Sequence, residues 1–279
     1  MRYGSSYRNS VSSNGRLLMT SDKKTKIFAL IFLFVVMFIC TIFIPHIPVS
    51  KSYHEFADSR SCMGIPNFGD VISNFPFALF GFLGVLTVIK MSGEKIFLKW
   101  YHSWPYLIFF CAVILVSLGS SYYHLDPSNG RLYLDRAPIL IGFICLFTAF
   151  FADRINQYIG IFLLFPFLLI LGCGAFLWDL SHLHAGGDLR FYALMQIYAF
   201  VALPLICWFF PKNTYTSNRH LYLILSWYAL AKVFEVYDQK IFESLAGLIS
   251  GHTLKHFVAS IAVFVVIGML RRAKRSLPV

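Results

Sequence analysis

Charge is what this chain has least of. Only 13% of its 279 residues are Asp, Glu, Lys or Arg, while 58% are hydrophobic. Soluble domains carry about 25% charged residues, so a soluble globular protein is excluded and the membrane class is left. Acidic side chains are scarcest, 13 against 24 Lys and Arg, which gives a formal net charge of +11. Such an excess could suit nucleic acid, but the cations gather in the two tails and in alternate loops. That is how a membrane protein orients itself, and nucleic acid is rejected as a partner. Paired cysteines are also missing. Cys40, Cys62, Cys111, Cys145, Cys173 and Cys207 are scattered, mostly within apolar runs, with no CxxC pair. This excludes a disulfide framework and a thiolate metal site, and the cysteines read as small core residues. No repeat recurs at a fixed period, and no low-complexity segment occurs beyond the N-terminal tail.

Apolar blocks are abundant. A bilayer span needs about 20 apolar residues, and eight stretches qualify, near 27–46, 71–91, 104–124, 136–152, 156–178, 190–210, 219–237 and 249–270. The fourth is short and relies on polar neighbours at its ends. The pattern predicts an all-α polytopic membrane protein. The first run is too long for the apolar region of a usual signal peptide, and IPHIPVSKS after it lacks a small-x-small cleavage site, so it reads as a retained helix. The Ser-, Asn-, Arg- and Lys-rich residues 1–26 before it predict a basic disordered cytoplasmic tail, and 272–279 a second basic tail. Sixteen of the 24 Lys and Arg lie in the tails and in alternate loops of this layout, which predicts that both ends are cytoplasmic.

The polar residues then fall in one layer. His124 ends the third span, Asp135 and Arg136 open the fourth, His252 and His256 open the eighth, and the polar segment from Asp58 to Asn74 opens the second. All lie at predicted non-cytoplasmic ends. In SGHTLKHF, His252 and His256 are four residues apart, on one helical face, where two imidazoles can grip a single metal ion. Paired histidines near a helix end also serve as interfacial hydrogen-bonding groups. GSSYYHLDPSNGRLYLDRAP adds to them: Ser120 and His124 share a face, DPSNG reverses the chain, and Asp135 returns on the next helix with Pro138 in its first turn. Three neutral histidines with an open fourth position suit a catalytic rather than a structural zinc, and no cysteine lies within the histidine motifs to close the site. Taken singly, Ser120 could bond back to its own helix, and Asp135 could be a helix-start residue or a partner for Arg136. Taken together at one depth, they favour a site. Two other groups are weaker. WDLSHLHAGGD, with Asp179, His182, His184 and Asp188, reads as a solvated outer loop. Lys232, Glu235 and Asp238 cluster on the seventh span, where Lys232 and Glu235 can neutralise one another as a structural or pathway-lining pair.

Ser120-x3-His124, Asp135 eleven residues later and His252-x3-His256 on the final helix together resemble the CREST superfamily of membrane hydrolases, which includes alkaline ceramidases and adiponectin-receptor-like proteins. NFGDVISN at 67–74 is most similar to the alkaline ceramidase branch. The resemblance covers residues 58–271, which would form the family's seven-helix transmembrane core, with 27–46 as one additional N-terminal helix. It implies that His124, His252 and His256 bind zinc, that Asp135 handles protons, and that Ser120 stabilises the reacting carbonyl oxygen. The implied substrate is a ceramide-like lipid, cleaved at its amide bond. The family's acidic calcium-binding cluster is replaced here by DSRSCMGIPNFGD, where Arg60 joins Asp58, Asn67 and Asp70, and this speaks against calcium. Two enzyme readings stand beside each other at this stage, amide hydrolysis and ester hydrolysis of phospholipids or lipid anchors. A heptahelical receptor with structural zinc ranks below both, because the cytoplasmic loops are short and the tail is only RRAKRSLPV. A transporter has no inverted repeat to support it.

Overall fold

A computed structural model describes residues 21–276. Among them no strand forms; one isolated bridge joins Cys62 and Ile65. The helices are α1 (Ser21–Phe43), α2 (Phe68–Ile72), α3 (Phe75–Gly93), α4 (Trp104–Leu125), α5 (Asn129–Arg154), α6 (Phe165–Ser181), α7 (Arg190–Phe209), α8 (Asn218–Val236), α9 (Asp238–Ser244) and α10 (Gly251–Ser276). Seven segments are long and apolar enough to cross a bilayer: α1, α2 with α3, α4 with the turn before it, α5, α6 with the π turn before it, α7 and α10. The chain is an all-α polytopic membrane protein. Of the eight expected spans, 219–237 coincides with α8, which is 19 residues long but is not among those seven because Arg219, Lys232 and Glu235 interrupt its apolar sequence.

Six helices close a ring in the order α3, α4, α5, α7, α8 and α10, with α10 returning to α3. α6 packs outside against α5 and α7, and α1 outside against α7. The α1 contact is specific: Phe34 meets Tyr198 edge-on at 5.0 Å, and the Tyr198 hydroxyl donates to the Leu30 carbonyl at 3.1 Å. The outer faces of α1 keep Phe28, Ile31 and Phe32 exposed, as lipid-facing side chains should be in a membrane helix.

Several boundaries differ from the sequence reading. Residues 1–20 of the predicted tail lie outside the described residues, whereas 21–26 already belong to α1, where Lys26 pairs with Asp22 at 2.7 Å across one turn. α1 stops at Phe43, ahead of the predicted 46, because Pro45 disfavours a helical residue before it. α10 runs on through Ser276, so 272–276 is helix rather than tail; 277–279 lie outside the described residues. The short fourth span is in fact 26 residues long. Its start was hidden inside DPSNG, where the Ser128 hydroxyl accepts from the Arg131 N–H at 3.4 Å as an N-cap and Asn129 and Gly130 are already helical. Pro138 is therefore interior to α5 rather than in its first turn. The cysteines also depart from the core reading: only Cys145 and Cys207 are buried, and the other four are exposed.

An interior proline frees the carbonyl four residues before it, here Leu134. That carbonyl lies against Gly119, where a Cβ would collide with Leu134 O and the Asp135 N–H. Glycine lets α4 and α5 touch at this level, and Ser120 and Asp135 are the next residues on either side.

Candidate metal centre

His124 occupies the last turn of α4, and His252 and His256 the first two turns of α10. All three are buried. Their ring centroids lie 4.9, 5.1 and 5.0 Å apart, and one nitrogen from each falls within 4.8 Å of the others. Two distant segments therefore deliver three imidazoles to one point.

The surroundings orient the rings. His256 Nδ1 lies 2.8 Å from the Ser73 hydroxyl, which is also 3.1 Å from the Asp70 carbonyl. A hydroxyl has one proton, so satisfying both contacts requires Nδ1–H to donate to Ser73 and Ser73 to donate to Asp70. Nε2 of His256 is then a free lone pair. This is how a ligating histidine is normally held by its other nitrogen. The Asn67 amide fixes the last turn of α4 by donating to the His124 carbonyl at 2.8 Å, and Asp238 Oδ1 accepts the His252 backbone N–H at 2.7 Å. One atom argues for a ligand: His124 Nδ1 is buried without a hydrogen-bond partner. His252 Nε2 lies 2.9 Å from the Lys255 ammonium, which would have to withdraw for that nitrogen to ligate. A donor set of three neutral imidazoles at this spacing fits a divalent ion such as zinc after small ring movements.

A strap between α1 and α2 roofs the centre. Phe56 packs over His124 and His252 at 4.6 and 4.8 Å, His54 bonds the Tyr123 hydroxyl at 2.8 Å and Asn129 at 2.9 Å, and Ala57 N–H donates to Asp238 at 3.1 Å. In DSRSCMGIPNFGD, Asp58, Arg60, Asn67 and one oxygen of Asp70 are engaged by the protein itself, whereas Asp70 Oδ2 is buried without a partner. Arg60 grips Asp58 through two bonds of 2.7 Å, and this hydrogen-bonded guanidinium holds the Asp58 carboxyl below its ordinary range despite burial. Thr253 donates to Asp70 at 2.7 Å.

Beside the histidines lies a cavity of about 300 Å³ whose lining includes His256, Ser120 and Asp135. Ser120 and Asp135 lie beside one another on this lining, and no ion pair joins Asp135 to Arg136. Lys232 and Glu235 pair as expected, at 2.6 Å, but Glu235 also holds Lys255 at 3.1 Å, and all three line the cavity. A second, almost wholly apolar cavity of about 140 Å³ shares Phe77, Val116, Ile139, Tyr228 and Ala259 with the first. A polar chamber and an apolar one thus lie side by side between the helices, with these residues between them.

The loop WDLSHLHAGGD is not simply solvated. Asp179 and Asp188 are buried, Asp179 accepts from the Asp188 N–H, and Asp188 binds the Trp178 indole N–H at 2.7 Å and Arg190 at 2.7 Å. Burial pushes the Asp188 carboxyl up, but these partners outweigh it and hold the group below the usual carboxylate range. Arg190 in turn donates to the Ile44 carbonyl at 2.6 Å, and Val49 N–H to Gly186 at 2.9 Å, so the group is a clasp for the segment after α1. Asp238 caps the turn before α10 and lies outside the chamber lining.

Sequence reasoning missed Ser73, Phe56, Tyr53 and Tyr192. Ser73 had a readable signal, a Ser-Asn pair inside an apolar span; the aromatic residues had none. A scan against protein-family models finds no match to this chain, and a search of curated proteins finds none either.

Proposed function

We propose that this chain is a zinc-dependent intramembrane hydrolase of the alkaline ceramidase type, cleaving the amide bond of ceramide-like lipids into a sphingoid base and a fatty acid. The observation that carries the reading is the meeting of three distant imidazoles with a Ser120–Asp135 pair at the wall of one chamber that lies beside an apolar one. His124, His252 and His256 would hold the ion, and zinc bound by three neutral imidazoles lowers the pKa of water to about 7 and polarises a carbonyl.

The chain's own groups supply the proton traffic. In its ionised form Asp135, beside the Ser120 hydroxyl, accepts the proton of the attacking water. Once protonated it no longer needs the serine hydrogen, and Ser120 can turn its O–H toward the oxygen of the tetrahedral intermediate. Asp135 then gives its proton to the departing amine and recovers the serine bond. The apolar chamber accommodates an acyl chain while the roof over the histidines limits free solvent.

The orientation is also a proposal. Lys23 at the start of α1 bonds the Ile155 carbonyl at 2.6 Å, and Lys274 near the end of α10 pairs with Glu94 at 2.5 Å. The start of α1 and the last turns of α10 thus lie at the pole opposite the histidines, and the basic residues there support a cytoplasmic assignment of that pole.

Purified protein should contain about one zinc per chain, as a single three-histidine site requires. His252→Ala should lose both the metal and the release of fatty acid from labelled ceramide. Full wild-type activity after verified zinc removal would sink the mechanism, and cleavage of phospholipids but not ceramides in the same panel would replace the amide with an ester.

A further inference from the structure

The chamber contains more cation than its own carboxylates balance. Arg136, Lys232 and Lys255 line it against Asp135 and Glu235, one positive charge in excess with the imidazoles neutral. The carboxylates are also already engaged. Glu235 is shared by Lys232 and Lys255, and Asp135 lies beside the Ser120 hydroxyl.

Arg136 is the group left over. It is only 6% exposed, and it takes part in no ion pair among the described residues. Its guanidinium sits over the rings of Tyr53 at 5.1 Å and Tyr192 at 5.6 Å, with the Tyr53 hydroxyl as its one nearby side-chain oxygen. Five N–H donors face two aromatic surfaces and one oxygen. Aromatic faces compensate a buried cation only in part, and a buried guanidinium ordinarily meets an anion. A second donor on the same wall is also unmet. Gln196 Oε1 accepts from the Tyr228 hydroxyl at 3.1 Å, while its Nε2 is buried without an acceptor. What both groups lack is an oxygen that accepts several hydrogen bonds.

We infer that the chamber takes a lipid whose head group carries an oxyanion, a phosphate or a carboxylate, seated on Arg136 and Gln196. The inference deepens the hydrolase reading and rests on it for the word substrate. The planar fork of arginine matches either oxyanion bidentately. The tail of the same molecule occupies the apolar chamber, whose lining includes Ile139, one turn along α5 from Arg136. One orphan acceptor, Asn74 Oδ1, lines the chamber as well and suits an N–H or O–H of the lipid.

Binding to the full-length purified protein in neutral detergent tests this with probes that contain no cleavable amide or ester: hexadecyl phosphate, palmitate, hexadecanol and inorganic phosphate. The two anionic amphiphiles should bind at least about tenfold more tightly than hexadecanol, and Arg136→Gln should remove about that factor from them while moving hexadecanol by less than roughly twofold, as expected for a charge-assisted contact. Equal affinity of hexadecanol and hexadecyl phosphate for the wild type would overturn the inference whether or not the variant folds. Inorganic phosphate binding as tightly as hexadecyl phosphate would overturn it too, by assigning the site to a free anion. Because nothing is hydrolysed, anion preference without lipid-amidase activity would refute the hydrolase reading alone, and amidase activity without anion preference would refute this inference alone.

Discussion

Helix α5 carries the dipeptide Asp-Arg twice, as Asp135-Arg136 near one pole and Asp153-Arg154 at the other. The second pair is fully used by the fold. Asp153 accepts the backbone N–H groups of Thr214, Tyr215 and Thr216 at 2.8–3.2 Å and the Thr216 hydroxyl at 2.6 Å. Arg154 donates to that same hydroxyl, to the Phe210 carbonyl and to Asn218 at 2.8–3.0 Å. The first pair has one serine, two tyrosine faces and a cavity. Identical residues on one helix thus do different work. A closed network holds the α7–α8 connection in place, and an unfinished one waits for a molecule from outside.

This contrast can be broken most severely by exchanging the effects of the two aspartates. Asp135→Asn should lower lipid-amidase turnover by about 10²–10⁴, the worth of a positioned acid–base group, with the melting temperature nearly unchanged. Asp153→Asn should do the reverse, removing about 2–4 kcal/mol of stability by leaving buried donors unmatched, while the folded fraction keeps its specific activity. If Asp153→Asn abolished turnover in well-folded protein, the distinction between the two ends would be wrong. A smaller effect is expected at Ser73. Ser73→Ala should weaken zinc affinity about 10–100-fold, the usual consequence of losing the partner that orients a ligating imidazole, as measured by competition with a chelator; unchanged affinity would remove Ser73 from the metal centre. The smallest effect concerns the Asp58–Arg60 pair on the roof. Its carboxyl is lowered in the folded protein, so the pair stabilises at pH values above the unfolded value of about 4 and loses that contribution as pH falls below it. Arg60 is exposed and screened by solvent, so the loss should be small. Melting curves from pH 6 to pH 3 should show a shallower decline for Asp58→Asn than for the wild type, and parallel declines would deny the pair any role.

The histidines were legible because i,i+4 spacing at span ends is a local property, and an alternating span order brings alternate ends to one face. The pairing of Lys232 with Glu235 was legible for the same reason. Lys255, the third member, is twenty residues from Glu235, and only the packing of α8 on α10 brings them together. The burial of Asp179 and Asp188 had no sequence signal, since a Gly-rich polar loop reads as solvated until another segment lies across it. Gly119 was likewise invisible: its importance depends on a carbonyl released by Pro138 on a different helix. The sequence carries what a single helix face determines, and it is silent where two segments decide jointly.

The first helix offers a consequence beyond its own packing. The segment that leaves it, residues 44–49, is clasped by Arg190 at the start of α7 and by Gly186 just before it, which tethers the upstream margin of the strap that carries Tyr53, His54 and Phe56, while the Asn67 anchor on α4 tethers the downstream margin. A cover tethered at both margins surrenders far less freedom on closing than a loose leader would. Hydrophobic length spent on an extra crossing is thereby converted into rigidity above the imidazoles.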